Sequence, residues 1–146
     1  MTLALTMPAQ AAPSELVLSS EADGLERFAA SELERYIEKL FPASVEIVSA
    51  PTTTADMLFL VGTFDHHPAR AMEKTDIPAL SDQGFLLRKT TWKDKPALLV
   101  VGGSPAATLW GVYDLVERYG VRYLLSGDVF PETKKDFYLP EVDQVF

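Results

Sequence analysis

The 146 residues include 47% hydrophobic and 23% charged side chains, as is typical of one folded globular domain with a sizeable core. The formal net charge of −8 argues against nucleic acid or an anionic membrane as partner, because both need clustered Lys and Arg. The chain has no cysteine, which excludes disulfides and thiolate chemistry, and no stretch approaches the roughly 20 apolar residues of a membrane span.

The N-terminal segment has some features of a secretion signal. A short apolar run is followed by Ala9-Gln10-Ala11, which fits the A-x-A pattern of a signal-peptide cleavage site. The run lacks a basic start and is shorter than an ordinary signal. We therefore expect residues 1–13 to be a signal-peptide remnant or a disordered extension, and the protein to be secreted or periplasmic.

The folded part is predicted to begin with a strand at Glu15–Ser19 and an amphipathic helix that Pro42 stops. Helical spacing separates a buried side from a solvated side. The expected buried side consists of Leu25, Phe28, Ala29, Leu33, Ile37 and Leu40, with Tyr36 at its edge. The expected solvated side consists of Glu26, Arg27, Glu34, Arg35, Glu38 and Lys39.

Two strands and a short helix are predicted next. Ser44–Val48 alternates and predicts a half-buried strand, whereas Met57–Val61 is an unbroken apolar run typical of a central strand. His66–Lys74 predicts a short helix opened by Pro68.

A hairpin and the central unit of the chain follow. Gly84–Lys89 and Pro96–Val101 predict two strands, joined by the polar turn Thr90–Lys95. The stretch Leu98–Leu125 predicts strand, tight turn, helix and strand, the last of them at Val121–Leu125. Its helix has Ser104 as N-cap, Pro105 at the first position and Gly120 as stop, and its core stripe is Leu109, Val112, Val116 and Tyr119, flanked by Tyr113 and Leu115.

Trp110 does not obey this helical pattern. It lies on the side of Asp114 and Glu117, opposite the core stripe, and Gly111 beside it leaves a bare backbone. We expect this outward face to be covered either by a loop or the chain's own tail, or by a neighbouring domain.

The element order β-α-β-β-(short α)-β-β-α-β predicts an α+β fold with a single mixed β-sheet and two main amphipathic helices packed largely on one face. We expect this domain to span residues 14–125. The polar residues 126–146 include Pro131 and Pro140 and are expected to form a tail or linker.

The motifs for chemistry are incomplete. Gly102-Gly103-Ser104-Pro105 has the context of a phosphate loop, but the glycine spacing is only partly met and Pro105 lacks an N–H, so a turn and cap are favoured. Asp65-His66-His67 is followed by no further histidine, which disfavours a metal site and a hydrolytic triad. We expect no cofactor, no metal and no catalytic residue.

Carboxylates crowd the C-terminal part of the chain. A glycosidase needs two of them facing each other across a cleft at about 5–10 Å, and a proline-broken tail does not hold such geometry well. We therefore expect a solvated surface for Asp128, Glu132, Asp136, Glu141 and Asp143.

The chain resembles the non-catalytic N-terminal domain of bacterial β-N-acetylhexosaminidases, α-glucuronidases and related large secreted proteins. The resemblance covers about Glu15 to Pro140 and rests on four segments in order: AASELERYIEKLF, DMLFLVGTFD, DQGFLLRKT and LLVVGGSPAATLWGVYDLVERYGVRYLLSGDVFPE. Its most specific block matches at Gly111, Leu115, Glu117, Gly120, Val121 and Arg122, and Tyr123 stands where such proteins often carry Trp.

The resemblance implies an α+β domain of zincin-like shape without a metal, and catalysis on a following (β/α)8 barrel. We expect this chain to be a fragment that supports such a barrel. Contacts with the barrel or with sugar would fall on Trp110, Gly111, Arg122 and Tyr123.

Two other functions stay open at this point. A free-standing carbohydrate-binding module would use Trp92, Trp110 or surface tyrosines as stacking platforms for a polysaccharide. A small enzyme would use a site that the sequence does not reveal.

Overall fold

The computed structural model describes residues 13–71, 76–124, 126–134 and 136–146, so the predicted signal remnant, apart from Pro13, and the end of the predicted helix His66–Lys74 lie outside the described residues. No helix among the described residues is long and apolar enough to cross a membrane. The elements are β1 (Ser14–Leu18), α1 (Gly24–Leu40), β2 (Val45–Val48), β3 (Met57–Thr63), two 3₁₀ turns (Phe64–His66 and Pro68–Ala71), β4 (Phe85–Trp92), β5 (Lys95–Gly102), α2 (Pro105–Arg118), β6 (Arg122–Leu124), β7 (Gly127–Val129) and β8 (Asp143–Val145).

Six strands form one mixed sheet in the order β2-β1-β3-β5-β4-β8. The first four are parallel, and β4 and β8 are antiparallel to their neighbours. Both helices pack on one face, where they bury one apolar cluster, and a second cluster lies on the opposite face beneath the 3₁₀ turns. The predicted mixed sheet with two helices on one face is confirmed; the zincin-like shape stays a prediction.

The hairpin of β4 and β5 is also confirmed, but its turn is shorter than predicted. Trp92 pairs with Lys95, so Lys93 and Asp94 alone make the turn. Both have positive φ, 47° and 66°, which is the conformation of a two-residue turn that matches strand twist.

The C-terminal segment differs from the prediction in two ways. The strand after α2 does not join the main sheet; β6 pairs instead with β7, which begins at Gly127 with φ 123°. The predicted tail then returns to the domain, where β8 pairs with β4 and Leu139 and Val142 are buried. The sequence gives no sign of β8, because its three residues are exposed and follow no apolar pattern.

The predicted caps of α2 are present. Ser104 Oγ accepts a hydrogen bond from the Ala107 N–H at 3.1 Å, and Pro105 occupies the first turn. Gly120 follows the helix with φ 104°. These local signals fix both ends of α2.

Gly111 is predicted to lie on the outward face of α2 beside Trp110, and this prediction is wrong. It is buried against the sheet, where an added Cβ would lie 2.9 Å from Val100 Cγ1 and 3.3 Å from Phe85 Cδ2. The missing side chain therefore allows α2 to approach β4 and β5 closely.

Glu26, predicted to be solvated, is buried at the first turn of α1. Its carboxylate accepts hydrogen bonds from the Asp23 N–H at 2.9 Å, the Thr63 N–H at 2.7 Å and His66 Nε2 at 2.7 Å. Asp23 Oδ1 accepts the Glu26 N–H in return, which completes a capping box. Burial alone would raise the pKa of Glu26, but these donors outweigh it and hold the pKa below its usual value.

His67 is a second buried polar residue at the same end of the sheet. Its Nε2 donates to the carbonyls of Leu60 at 3.1 Å and Val100 at 3.0 Å, on the neighbouring strands β3 and β5. Its Nδ1 accepts the Ala69 N–H at 3.0 Å, so the neutral imidazole has a partner on each nitrogen. Burial lowers the pKa of His67 from 6.5 to about 4.

These pKa values predict a stepwise loss of stability in acid. Because the pKa of His67 is lowered from 6.5 to about 4, its contribution is complete above pH 6.5 and is lost as the pH falls towards 4. We expect the free energy of unfolding to fall by about 2 kcal/mol between pH 7.5 and pH 5. Glu26 adds its own loss only below the pKa of 4.5 that an unperturbed glutamate has.

Urea unfolding at a series of pH values measures this dependence. The variant His67→Gln removes the titrating ring and should flatten the curve above pH 5, although its stability at pH 7.5 is lower. An unchanged slope in His67→Gln would assign the acid sensitivity to other groups.

The contact of Gly111 predicts a cost for even one methyl group. In Gly111→Ala the gain in helix propensity, up to about 1 kcal/mol, opposes an overpacking cost of about 1–3 kcal/mol against Val100. We expect net destabilisation of about 1 kcal/mol in urea unfolding. Gly24→Ala, at the start of α1 and with no atom within 4 Å of the added Cβ, is the control without overpacking and should be neutral or stabilising by up to about 1 kcal/mol.

Candidate functional site

Trp110 lies on the outward face of α2 and is 46% exposed, so the described part of the tail does not cover it. The tail contacts α2 about two turns further along the helix, where Arg118 lies over the Phe146 ring at 5.3 Å and also pairs with Asp114 at 2.8 Å. Among the described residues, neither a loop nor the tail covers Trp110, contrary to one of the two expectations.

The four predicted contact residues do not form one site. Gly111 is buried, and Trp110 is exposed but lines neither hollow that contains Tyr123. Arg122 and Tyr123 do come together: they line an open groove of about 440 Å³ with Asp114, Glu117 and Arg118. Arg122 is held there by hydrogen bonds to the Glu117 and Val121 carbonyls at 3.1 and 3.0 Å.

A second hollow adjoins this groove and shares Glu117 and Tyr123 with it. It has a volume of about 320 Å³ and is lined by Tyr36, Tyr113, Glu117, Tyr123 and Asp128; we call these five residues the tyrosine cup. The three rings meet edge to face, with centroids 5.6–6.5 Å apart and interplanar angles of 76–83°. α1, α2 and β6 each contribute one ring.

Hydrogen bonds fix the phenols of the cup. Tyr36 donates to Asp128 Oδ2 at 2.6 Å, and Tyr113 donates to Glu32 Oε2 at 3.1 Å. Arg35 stacks on the Tyr36 ring at 4.3 Å and pairs with Glu32 at 3.1 Å and with Asp128 at 4.0 Å. The walls of the cup are therefore held by a network that joins α1, α2 and β7.

All three phenols are neutral at physiological pH. Burial is the main cause that raises the pKa of Tyr36, of Tyr123 and of Tyr113, the last to about 12 with help from the Glu32 charge. Each tyrosine therefore offers an uncharged ring and a hydroxyl.

The sequence pattern identifies neither Tyr36 nor Tyr113 as part of a site, and it assigns Asp128 to a solvated tail. The two hydrogen bonds that assemble the cup join residues 92 and 81 positions apart. No local pattern in the sequence signals such pairs.

The other carboxylates of the C-terminal part are spread over the surface. Glu132 and Asp136 are exposed. Glu141 pairs with Lys89, and Asp143 with Arg88 at 2.8 Å, so these two tie the tail to β4. Of the five acidic residues, Asp128 alone lines the tyrosine cup.

The histidine pair and the glycine pair both have structural roles. The rings of His66 and His67 are bonded to Glu26 and to strand carbonyls, and no group of three ligand-type side chains that could hold a metal occurs among the described residues. An added Cβ would lie 2.2 Å from Thr108 N at Gly102 and 1.8 Å from Ser81 O at Gly103. The glycines thus permit close packing around the helix start.

A cavity of about 520 Å³ lies over the sheet face opposite the helices. Its floor includes Val17 and Leu60, and Asp65, His66 and Trp92 lie on its walls. Trp92 is half-buried there and packs on the second apolar cluster, which gives it a structural role.

Comparison with protein-family models gives one match. The family described as "Glycosyl hydrolase family 67 N-terminus" matches residues 3–115, well over half of the chain. The match ends within α2, so Gly120, Arg122 and Tyr123, in the block expected to be most specific, lie outside it. No curated protein matches the chain.

Solved structures of longer proteins include parts with a similar fold. The chain is similar to a family GH115 4-O-methyl-α-glucuronidase with specificity for decorated arabinogalactans, with a TM-score of 0.68 and 20% identity over 93% of this chain and 18% of that one. A GH138 enzyme targeting pectin rhamnogalacturonan II has a TM-score of 0.44 and 13% identity over 73% of this chain and 13% of that one, too low a score to support an argument.

The first likeness concerns the fold alone, and the chain spans less than a fifth of either protein. The family match rests on the sequence itself and agrees with the α-glucuronidase part of the predicted resemblance; the hexosaminidase part stays a prediction. By the extent of that match, the chain belongs to the glycosyl hydrolase family 67 N-terminus family.

Proposed function

We propose that the chain is a non-catalytic accessory domain that supports the catalytic barrel of an α-glucuronidase-type glycoside hydrolase. The observation that carries this proposal is the family match over residues 3–115. The fold likeness to the longer α-glucuronidase supports the proposal, because the similar fold there is about a fifth of a larger enzyme.

The buried ionisable groups support a structural role. Two buried ionisable residues, Glu26 and His67, lie near the ends of the parallel strands. Their hydrogen bonds go to backbone groups and, for Glu26, also to His66. A catalytic acid or base must instead reach a substrate proton. These residues hold the domain together and leave its surface to make contacts.

The helical layer offers an apolar surface for the barrel. Leu25 and Phe28 on α1 are 39% and 48% exposed, against the prediction that they are buried, and Trp110 on α2 is 46% exposed. Tyr113 bonds Glu32, and one turn back from this pair lie Trp110 and Phe28, at a similar height on the two helices. We call Leu25, Phe28 and Trp110 the helical apolar patch.

The same proposal includes a secreted or periplasmic location, supported by Ala9-Gln10-Ala11 alone, and kinship with the accessory domains of β-N-acetylhexosaminidases. An N-terminal sequence of the protein recovered from its native source tests the location. Cleavage after Ala11 or Ala12 is expected.

The accessory role predicts that residues 1–146 have no glycosidase activity. We expect no release of 4-nitrophenol from aryl α-glucuronides, hexosaminides or xylosides, and no glucuronate from glucuronoxylan. Activity that survives repurification and disappears in Asp128→Asn would overturn the proposal.

The docking role predicts a context-dependent effect of Trp110→Ala. In residues 1–146 alone the change should alter the free energy of unfolding by less than about 0.5 kcal/mol, because the side chain is exposed. In a protein that carries this chain joined to its catalytic barrel, removal of a buried interface Trp should cost more than about 1 kcal/mol.

Thermal unfolding of both forms gives the comparison. Ile47→Ala, an exposed apolar change on the edge strand β2, is the matched control and should have the same small effect in both. Equal effects of Trp110→Ala with and without the barrel would remove the patch from the interface.

A further inference from the structure

We propose that the tyrosine cup binds one neutral pyranose ring of a polysaccharide. This goes beyond the accessory role and does not depend on it. The cup lies towards the C-terminal half of the helical layer, and the helical apolar patch lies towards its N-terminal half, so the two surfaces can act separately.

Tyr123 provides the exposed aromatic ring among the five residues of the cup, and the rings of Tyr36 and Tyr113 support it from behind. Tyr36 is 2% exposed and Tyr113 is half-buried, whereas Tyr123 is 36% exposed and presents its ring to the solvent. The volume of about 320 Å³ is at the lower limit for small-molecule sites, which suits one ring. Fixed aromatic rings with a polar tip provide such contact area at a low cost in entropy.

The carboxylates provide hydrogen-bond acceptors for sugar hydroxyls. Asp128 accepts the Tyr36 hydroxyl on Oδ2, and an ionised carboxylate has about four acceptor positions in all. Glu117 lies on the same wall as Tyr123. A ligand rich in hydroxyl donors therefore matches both the rings and the rim.

The charge of the cup selects against anionic sugars. Glu117 and Asp128 line the cup, and Glu32 bonds Tyr113 behind it; Arg35 is already paired with Glu32 and Asp128. In the adjoining groove Arg118 is paired with Asp114, and Arg122 bonds backbone carbonyls. A uronate or a sugar phosphate would bring another negative charge close to this group. In a protein of the α-glucuronidase type, the cup would thus bind the neutral sugars of a polysaccharide and disfavour its uronate groups.

The ring geometry also argues against an organic cation as ligand. The centroids are 5.6–6.5 Å apart in direct edge-to-face contact, so no ligand enters between the rings and contact is made on the exposed ring of Tyr123. The open face of Tyr36 already has the Arg35 guanidinium at 4.3 Å. A cation cage needs such faces to be free.

The adjoining groove extends the site. It shares Glu117 and Tyr123 with the cup and adds Asp114, Arg118 and Arg122 in about 440 Å³. This space lies next to the bound ring and can take a second sugar of the same chain. We therefore expect a trisaccharide to bind more tightly than a monosaccharide.

Titration of ¹⁵N-labelled protein, followed by amide chemical shifts, tests the proposal. The probes are the neutral trisaccharides xylotriose, cellotriose and β-1,3-galactotriose, with glucuronic acid and glucosamine as charged monosaccharides and methyl β-xyloside as the neutral one. We expect saturable shifts around Tyr36, Tyr113, Tyr123 and Asp128 with at least one trisaccharide, and affinity for glucuronic acid lower than for the neutral monosaccharide by about tenfold.

Three variants assign the binding to the cup. Tyr123→Ala should lower the affinity for the trisaccharide by about tenfold, and Tyr123→Phe should keep it, because the ring makes the contact. Trp110→Ala, at a more exposed aromatic outside the cup, should leave the affinity unchanged. Thermal unfolding of each variant checks that the fold is intact.

The proposal is overturned if no neutral trisaccharide causes saturable shifts, if Tyr123→Ala binds as the parent does, if glucuronic acid binds more tightly than the neutral monosaccharide, or if glucosamine binds and no neutral sugar does. None of these outcomes bears on docking at Trp110, since the two surfaces share no residue.

Discussion

The buried carboxylate of Glu26 joins the segments on which this domain is built. It closes the first turn of α1, takes the last N–H of β3 and holds the imidazole of His66, so one side chain joins a helix, a strand and a 3₁₀ turn. A carboxylate enclosed in this way is tolerated only because each oxygen is hydrogen-bonded, and removal of its partners would leave a costly charge. His67, the residue after His66, is also buried and fully hydrogen-bonded, and it joins β3 to β5 through their carbonyl groups. The end of the sheet is thus held by polar contacts, and the helical layer rests on that fixed end.

Local patterns predicted the elements well but not their partners. The caps at Ser104 and Gly120 and the apolar runs of β3 and β5 follow from residue type alone, and the structure contains each of them. Glu26 shows the limit of this reasoning. Its helical position is next to exposed charges, and its burial depends on Thr63, which is 37 residues away in sequence. Whether Glu26 is exposed or buried depends on its tertiary contacts, and helical periodicity does not encode these.

The candidate surfaces show the same limit. Trp110 is predicted to lie on the outward face of α2, and it does; the cover expected there is not found among the described residues. Gly111 is assigned to the same face, but it faces the sheet because neighbouring helical residues are about 100° apart. Tyr123 was predicted as a contact residue without its partners. Those partners come from α1, α2 and β7, and the sequence placed one of them, Asp128, on a free tail.

The strand β8 has a consequence for how the domain is delimited. The family match ends at residue 115, inside α2, whereas the sheet is closed on this side only by residues 143–145. Without them, the eight-residue strand β4 would present one edge of unpaired backbone groups to other molecules, and such edges promote aggregation by strand addition. A protein cut at the end of the sequence match would thus keep most of its core and yet lose solubility. The boundary of the family match and the boundary of the folding unit are different places in this chain.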